Sequence, residues 1–128
     1  MRYLLDTHAL LWASRASSEL PPAVGEAIVD AANDIFVSIA SYWEIGIKAS
    51  MGKLPLEGTL AAFQSRVEAM NILTLPLTIQ HLDIIRTLPF HHKDPFDRII
   101  IATAIKERLT LITGDHEIAP YPVSQWWG

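Results

Sequence analysis

Short apolar runs alternate along this chain with longer stretches in which apolar residues recur every three or four positions. The first pattern is that of buried strands and the second that of helices packed by one face. "RYLL" (2–5) reads as a strand ending at Asp6, and "THALLWASR" (7–15) as the helix after it. "PPAVGEAIVDAA" (21–32) is a second helix, with proline at its start. "IFVS" (35–38) is β-rich, and "ASYWEIGIKASMG" (40–52) is helical with a glycine stop. "TLAAFQSRVEAM" (59–70) is an amphipathic helix, "ILTL" (72–75) a strand and "TIQHLDIIRTL" (78–88) a further helix. "DRIIIATAIKERL" (97–109) leads into the strand "LTLIT" (109–113), and the tail "YPVSQWW" supplies an edge strand.

No strand is followed by a hairpin signal, and strands alternate with helices. That order predicts an α/β domain whose mainly parallel sheet of about five strands is covered on both faces. A length of 128 residues, with no linker, repeat or low-complexity tract, suits a single domain over 1–128. Half of the residues are hydrophobic, which excludes disorder. There are no cysteines, so disulfides, thiolate metal sites and a cysteine nucleophile are excluded. No apolar run reaches the length of a membrane span, and "MRYLLDTH" is too short and too acidic for a signal peptide. A cytoplasmic protein with no membrane partner is expected.

In parallel sheets ligands gather beyond the carboxyl ends of the strands. Asp6 follows the first strand there, and Asp115 follows the last strong one in "LITGD". Each also has a purely local reading, as a helix cap and as a turn residue. Glu44 lies early in the helix after "IFVS", with Lys48 four residues on as a ready ion-pair partner. In "HHKDPFDR" (91–98), Asp94 fits an N-cap, Pro95 the first helical position, and Asp97 the dipole-favoured first turn. Helix phase adds a second role for Asp97. At about 100° per residue it points with Ile100, Ile101, Ala104 and Ile105, and a carboxylate aimed that way needs a partner. The histidines are expected outside the ligand set: His91 and His92 are adjacent and no spaced zinc pattern occurs. His81 and His116 read as surface or turn residues, His8 as a neighbour of Asp6, and Trp12 as core.

"LLDTHALLWA", "SIASYWEIGIKASMGKL", "HHKDPFDRIIIATA" and "LITGD" resemble, in order, the motifs of PIN-domain ribonucleases, and most of all the VapC toxins of toxin–antitoxin pairs. The resemblance runs from residue 3 to about 115. It implies a three-layer α/β/α sandwich and an acidic site at Asp6, Glu44, Asp97 and Asp115, with Thr7 and Thr113 beside the acids. Asp94 is an acid beyond the family's usual set. The resemblance also implies endonucleolytic cleavage of RNA, a homodimer, and inhibition by an antitoxin that covers the active-site groove.

Four acids from distant positions, without cysteine or patterned histidine, suit Mg²⁺ or Mn²⁺ better than zinc. A net charge of −4 argues against a phosphate-rich partner when taken alone. Setting aside the four site acids leaves acids and bases balanced at ten each. Lys48 and Arg98, close in sequence to those acids, are the expected RNA-backbone contacts. A receiver-like phosphoacceptor domain would need paired acids after the first strand, where only Asp6 stands. A non-catalytic PIN scaffold and a DNA-cleaving PIN nuclease are the other readings open to the sequence.

Overall fold

A computed structural model describes residues 1–128. Five strands, β1 (Arg2–Leu5), β2 (Asp34–Ser38), β3 (Ile72–Leu75), β4 (Thr110–Ile112) and β5 (Gln125–Trp126), form one sheet in the order β3-β2-β1-β4-β5. Every neighbouring pair is parallel. Six helices complete the chain: α1 (Thr7–Ser14), α2 (Pro22–Val29), α3 (Ile39–Ser50), α4 (Leu60–Glu68), α5 (Ile79–Thr87) and α6 (Pro95–Glu107). The chain is thus an α/β fold around a parallel sheet, as the alternation of runs predicts.

Alternation along the strands divides the interior in two. Tyr3, Leu5, Ile35, Val37 and Ile112 enter one core with residues of α1, α2, α3 and α4. Leu4 and Leu111 enter the other, mainly with α6, and Phe36 packs at its edge. Because successive strand side chains face opposite ways, each run must be apolar on both sides. This is why the strands read as unbroken hydrophobic stretches. No helix is long and apolar enough to cross a membrane.

Local chemistry sets the helix starts. Asp6, Ser38 and Thr59 cap α1, α3 and α4, each accepting a backbone N–H with its side chain. At α6, Asp94 caps and Pro95 occupies the first turn, so the helix begins two residues before the apolar pattern does. It ends at Arg108, which takes the left-handed conformation (φ 57°) usual for a chain leaving a helix.

His81 departs from the surface or turn role expected of it: it is 1% exposed. Its Nδ1 accepts the Thr78 backbone N–H, the Thr78 hydroxyl accepts the His81 N–H, and its Nε2 lies 3.3 Å from Glu107. Histidine here fills the third position of a capping box and closes it, the place usually held by Glu or Gln.

Candidate metal centre

The register levels the carboxyl ends of the central strands. Leu5 stands opposite both Val37 and Ile112, so the residues that follow β1 and β4 emerge side by side. The chain runs outward from β1 through β2 to β3, then returns to β4 on the other side of β1. The gap between β1 and β4 is therefore the topological switch point, where such sheets leave a crevice. Asp6 and Asp115 line one cleft at this place with His8, Trp12, Gly114 and Trp127.

Asp6 is 4% exposed. Its Oδ1 accepts the Ala9 N–H at 2.8 Å, and its own N–H donates to the Ile112 carbonyl. Burial pushes its carboxyl above the usual aspartate range, opposed by the Thr113 hydroxyl and the Ala9 N–H, with Asp115 adding to the rise. Both the cap and the strand-end position anticipated for Asp6 are therefore present. Thr7, also buried, donates its hydroxyl to Ser41 Oγ at 3.0 Å and ties α1 to α3 beside the acid. Thr113 Oγ1 accepts the Asp115 N–H, while Asp115 Oδ1 accepts the Glu117 N–H, so the segment after β4 is fixed from both ends.

Glu44 comes from the second turn of α3 and is 5% exposed. Its Oε2 receives the Lys48 ammonium at 2.7 Å, and its Oε1 is buried with no hydrogen-bond partner. Lys48 keeps two fifths of its side chain in solvent, and the Glu44 carboxylate raises its pKa.

Asp94 accepts the backbone N–H groups of Phe96 and Asp97 at 2.8 and 3.1 Å, a full capping role. Asp97 presents its carboxylate at the same end of α6. Burial pushes its pKa up to about 6, Asp94 and Glu44 adding to the rise and His92 opposing it. Glu44 and Asp97 are thus close enough to feel each other's charge, as are Asp6 and Asp115.

Two of the sequence expectations are corrected here. Arg98 does not face phosphate: it is 5% exposed and its guanidinium is consumed internally. Nη1 donates to the Pro89 carbonyl and Tyr121 Oη, Nη2 to the carbonyls of Leu88 and Ile85, and Phe90 stacks against it. Its position next to Asp97 in sequence suggested a surface cation, yet one step along a helix turns the side chain by about 100°. Trp12 is only half-buried, between the rings of His8 and Trp127 at the cleft rather than in the core.

His92 is the residue the sequence reading passed over. Its Nε2 lies 2.9 Å from Asp97 Oδ2 and its Nδ1 2.5 Å from Glu117 Oε2. Donor atoms of His92, Asp94 and Asp97 all lie within 4.8 Å of one another. Burial disfavours the imidazolium, but the Asp97 hydrogen bond and the charges of Asp97, Glu117 and Asp115 outweigh it, and the net shift is upward. The signal was the adjacency itself: neighbours in an extended segment face opposite ways. His91 turns out to Tyr121, its ring edge-on at 5.0 Å, which leaves His92 to turn in.

The donor set is oxygen-rich, half-buried to buried, and mutually repulsive. A buried carboxylate oxygen without a partner is costly, and Glu44 Oε1 is such an atom. A hard divalent cation among these acids would satisfy it and offset the burial and the mutual repulsion that raise Asp6 and Asp97. The residues present therefore fit a divalent metal.

A parallel sheet with Asp6 and Asp115 at its switch point, and a second group of acids with His92 at the start of α6, defines a class of α/β proteins that gather carboxylates at that edge. Within that class the chain belongs to the PIN domain family, whose pattern it matches over residues 3–122. It is 29% identical to ribonuclease VapC22 of Mycobacterium tuberculosis, a match covering 96% of this chain and 97% of that one. Solved structures share the fold at lower identity. In VapBC2 from Rickettsia felis, bound to a fragment of its promoter DNA, the matching chain has a TM-score of 0.72 at 17% identity, with 98% of each chain covered. FitAB bound to the IR36 DNA fragment gives 0.60 at 20%, covering 98% of this chain and 96% of the other.

Proposed function

We propose that this chain is a divalent-metal-dependent endoribonuclease and the toxin of a toxin–antitoxin pair. The observation that carries the proposal is Glu44 Oε1, a buried carboxylate oxygen with no protein partner, in electrostatic reach of Asp97 at the carboxyl edge of the sheet. Membership of the PIN family and the likeness to a VapC ribonuclease support the same reading.

In this reading Asp6, Asp97, Glu44 and Asp115 hold Mg²⁺ or Mn²⁺. The ion, when bound, neutralises phosphate charge and lowers the pKa of the attacking water. Thr7 ties α1 to α3 beside Asp6, Thr113 holds the Asp115 backbone N–H, and Asp94 fixes the first turn of α6 from which Asp97 projects. Lys48 remains a candidate for the RNA backbone, since two fifths of its side chain is in solvent. An antitoxin partner is proposed because a toxin–antitoxin complex from Klebsiella pneumoniae shares the fold, with a TM-score of 0.55. A homodimer is proposed with it, on the family resemblance.

The test is cleavage of structured RNA with Mg²⁺, Mn²⁺ or EDTA, comparing the chain with Asp6→Asn. Cleavage is expected with either ion, lost in EDTA and in the variant. Activity that survives both would falsify the metal-dependent assignment, and a chain that binds RNA without cutting it would be a scaffold.

A further inference from the structure

Three segments meet at one imidazole. The His92 ring touches Asp97, at the start of α6, through Nε2 and Glu117, beyond β4, through Nδ1. Glu117 belongs to the same turn as Asp115, since its backbone N–H donates to Asp115 Oδ1. The ring therefore joins two segments that each carry an acid of the centre.

The surrounding structure is built to present that ring and does not depend on it. The backbone N–H groups of His91 and His92 both donate to Tyr121 Oη, at 3.1 and 2.8 Å, and Tyr121 Oη donates to the His92 carbonyl. Arg98 donates to Tyr121 Oη as well, and to the carbonyls of Pro89 and Leu88 just before the segment. The backbone from Leu88 to His92 is thus held by Arg98 and Tyr121. The imidazole carries none of that burden.

We propose that His92 is a positioning residue for Asp97, oriented from behind by Glu117. The role rests on the reading of Asp97 as a metal-holding acid. Carboxylates that hold a cation are themselves hydrogen-bonded, and a histidine is set in orientation by the carboxylate on its other nitrogen. His92 fixes Asp97 Oδ2, and with it the plane of the carboxylate. Glu117, with 64% of its side chain exposed, has no other side-chain partner here and acts only through His92.

Calorimetric uptake of Mn²⁺ by the whole protein tests this without reference to turnover. Compared are the unaltered chain, His92→Ala, His92→Gln, Glu117→Gln and the His92→Ala/Glu117→Gln double variant. Outer partners of metal ligands are typically worth about 10–100-fold in affinity, and a loss in that range is expected for His92→Ala. His92→Gln, which keeps a side-chain N–H donor, should recover part of it. Glu117→Gln should weaken uptake by a smaller factor when His92 is present and by none when it is absent. Equal affinity in the chain and in His92→Ala overturns the role alone. An undiminished Glu117→Gln effect in the His92→Ala background also overturns it. No Mn²⁺ uptake by the unaltered chain overturns the metal reading and this role together. Should His92→Ala fail to fold, the surface variant Glu117→Gln still decides: unchanged affinity there removes the proposal.

Discussion

Lys48 and Glu44 divide the Glu44 carboxylate between them unevenly: the ammonium takes Oε2 at 2.7 Å and leaves Oε1 buried and unpaired. An i,i+4 pair of this kind contributes a few tenths of a kcal/mol, about 0.2–0.5. A buried acceptor without a partner costs about 1–3 kcal/mol. The second effect is larger, so the metal-free protein bears a net penalty at Glu44. Glu44→Gln removes the charge at nearly constant volume and lets Lys48 return to solvent. Its metal-free thermal midpoint is expected to equal or exceed that of the unaltered chain, while the rise in midpoint on adding Mn²⁺ shrinks. Differential scanning calorimetry with and without the ion measures both. A lower metal-free midpoint with full stabilisation by Mn²⁺ would show that Glu44 serves the fold and not the ion.

The raised pKa values of Asp97, Asp6 and His92 make the stability of the metal-free protein depend on pH. Asp97, pushed up to about 6, and Asp6, also raised, keep protons in the folded protein that the unfolded chain has already released. Stability therefore falls as pH rises from the ordinary aspartate range, near ~4, through the folded value of Asp97. His92 is raised too, so its contribution is complete below the ordinary histidine value and is lost as pH climbs through its folded one. All three groups act in one direction. The metal-free midpoint should drop between about pH 5 and about pH 8, and the added stability from Mn²⁺ should grow over that interval because binding displaces the protons. Asp97→Asn should flatten both trends. A metal-free midpoint that rises over the interval would refute the assignment of these groups.

The sheet was legible because each strand is buried on both faces and so appears as an unbroken apolar run. The helix starts were legible where an Asp, Ser or Thr stood before an apolar period. Asp6, Glu44, Asp97 and Asp115 could be singled out because strand ends and helix starts locate a carboxylate without knowledge of the packing. What escaped depends on contacts distant in the chain. His92 meets Glu117 across 25 positions, a separation no local pattern encodes. Arg98 is drawn inward by the carbonyls of Ile85, Leu88 and Pro89 and by Tyr121, and a residue after "DPFD" carries no sign of those acceptors. His81 was hidden for the opposite reason: its capping box is local, but histidine is an uncommon third member.

Arg98 and Lys48, grouped at first as phosphate contacts, are expected to separate cleanly in experiment. The Arg98 guanidinium is buried with four hydrogen-bond acceptors around it and the Phe90 ring 4.1 Å from its centre. Removing it strands several buried carbonyls, each costing about 1–3 kcal/mol when left unpaired, and Arg98→Ala should cost about 3–5 kcal/mol in urea unfolding. Arg98→Lys should recover little, since an ammonium cannot span acceptors placed for a planar fork. Lys48 is different: its ammonium reaches solvent, and Lys48→Gln should change stability by less than about 1 kcal/mol. If Lys48 meets the RNA backbone, that variant should lower the slope of log affinity against log salt by about 1. Binding is read in Ca²⁺ or with Asp6→Asn to prevent cleavage. A salt slope unchanged in Lys48→Gln would leave this lysine as the counter-ion of Glu44 alone. A loss below about 1 kcal/mol in Arg98→Ala would mean that the segment carrying His92 is held by Tyr121 without the arginine.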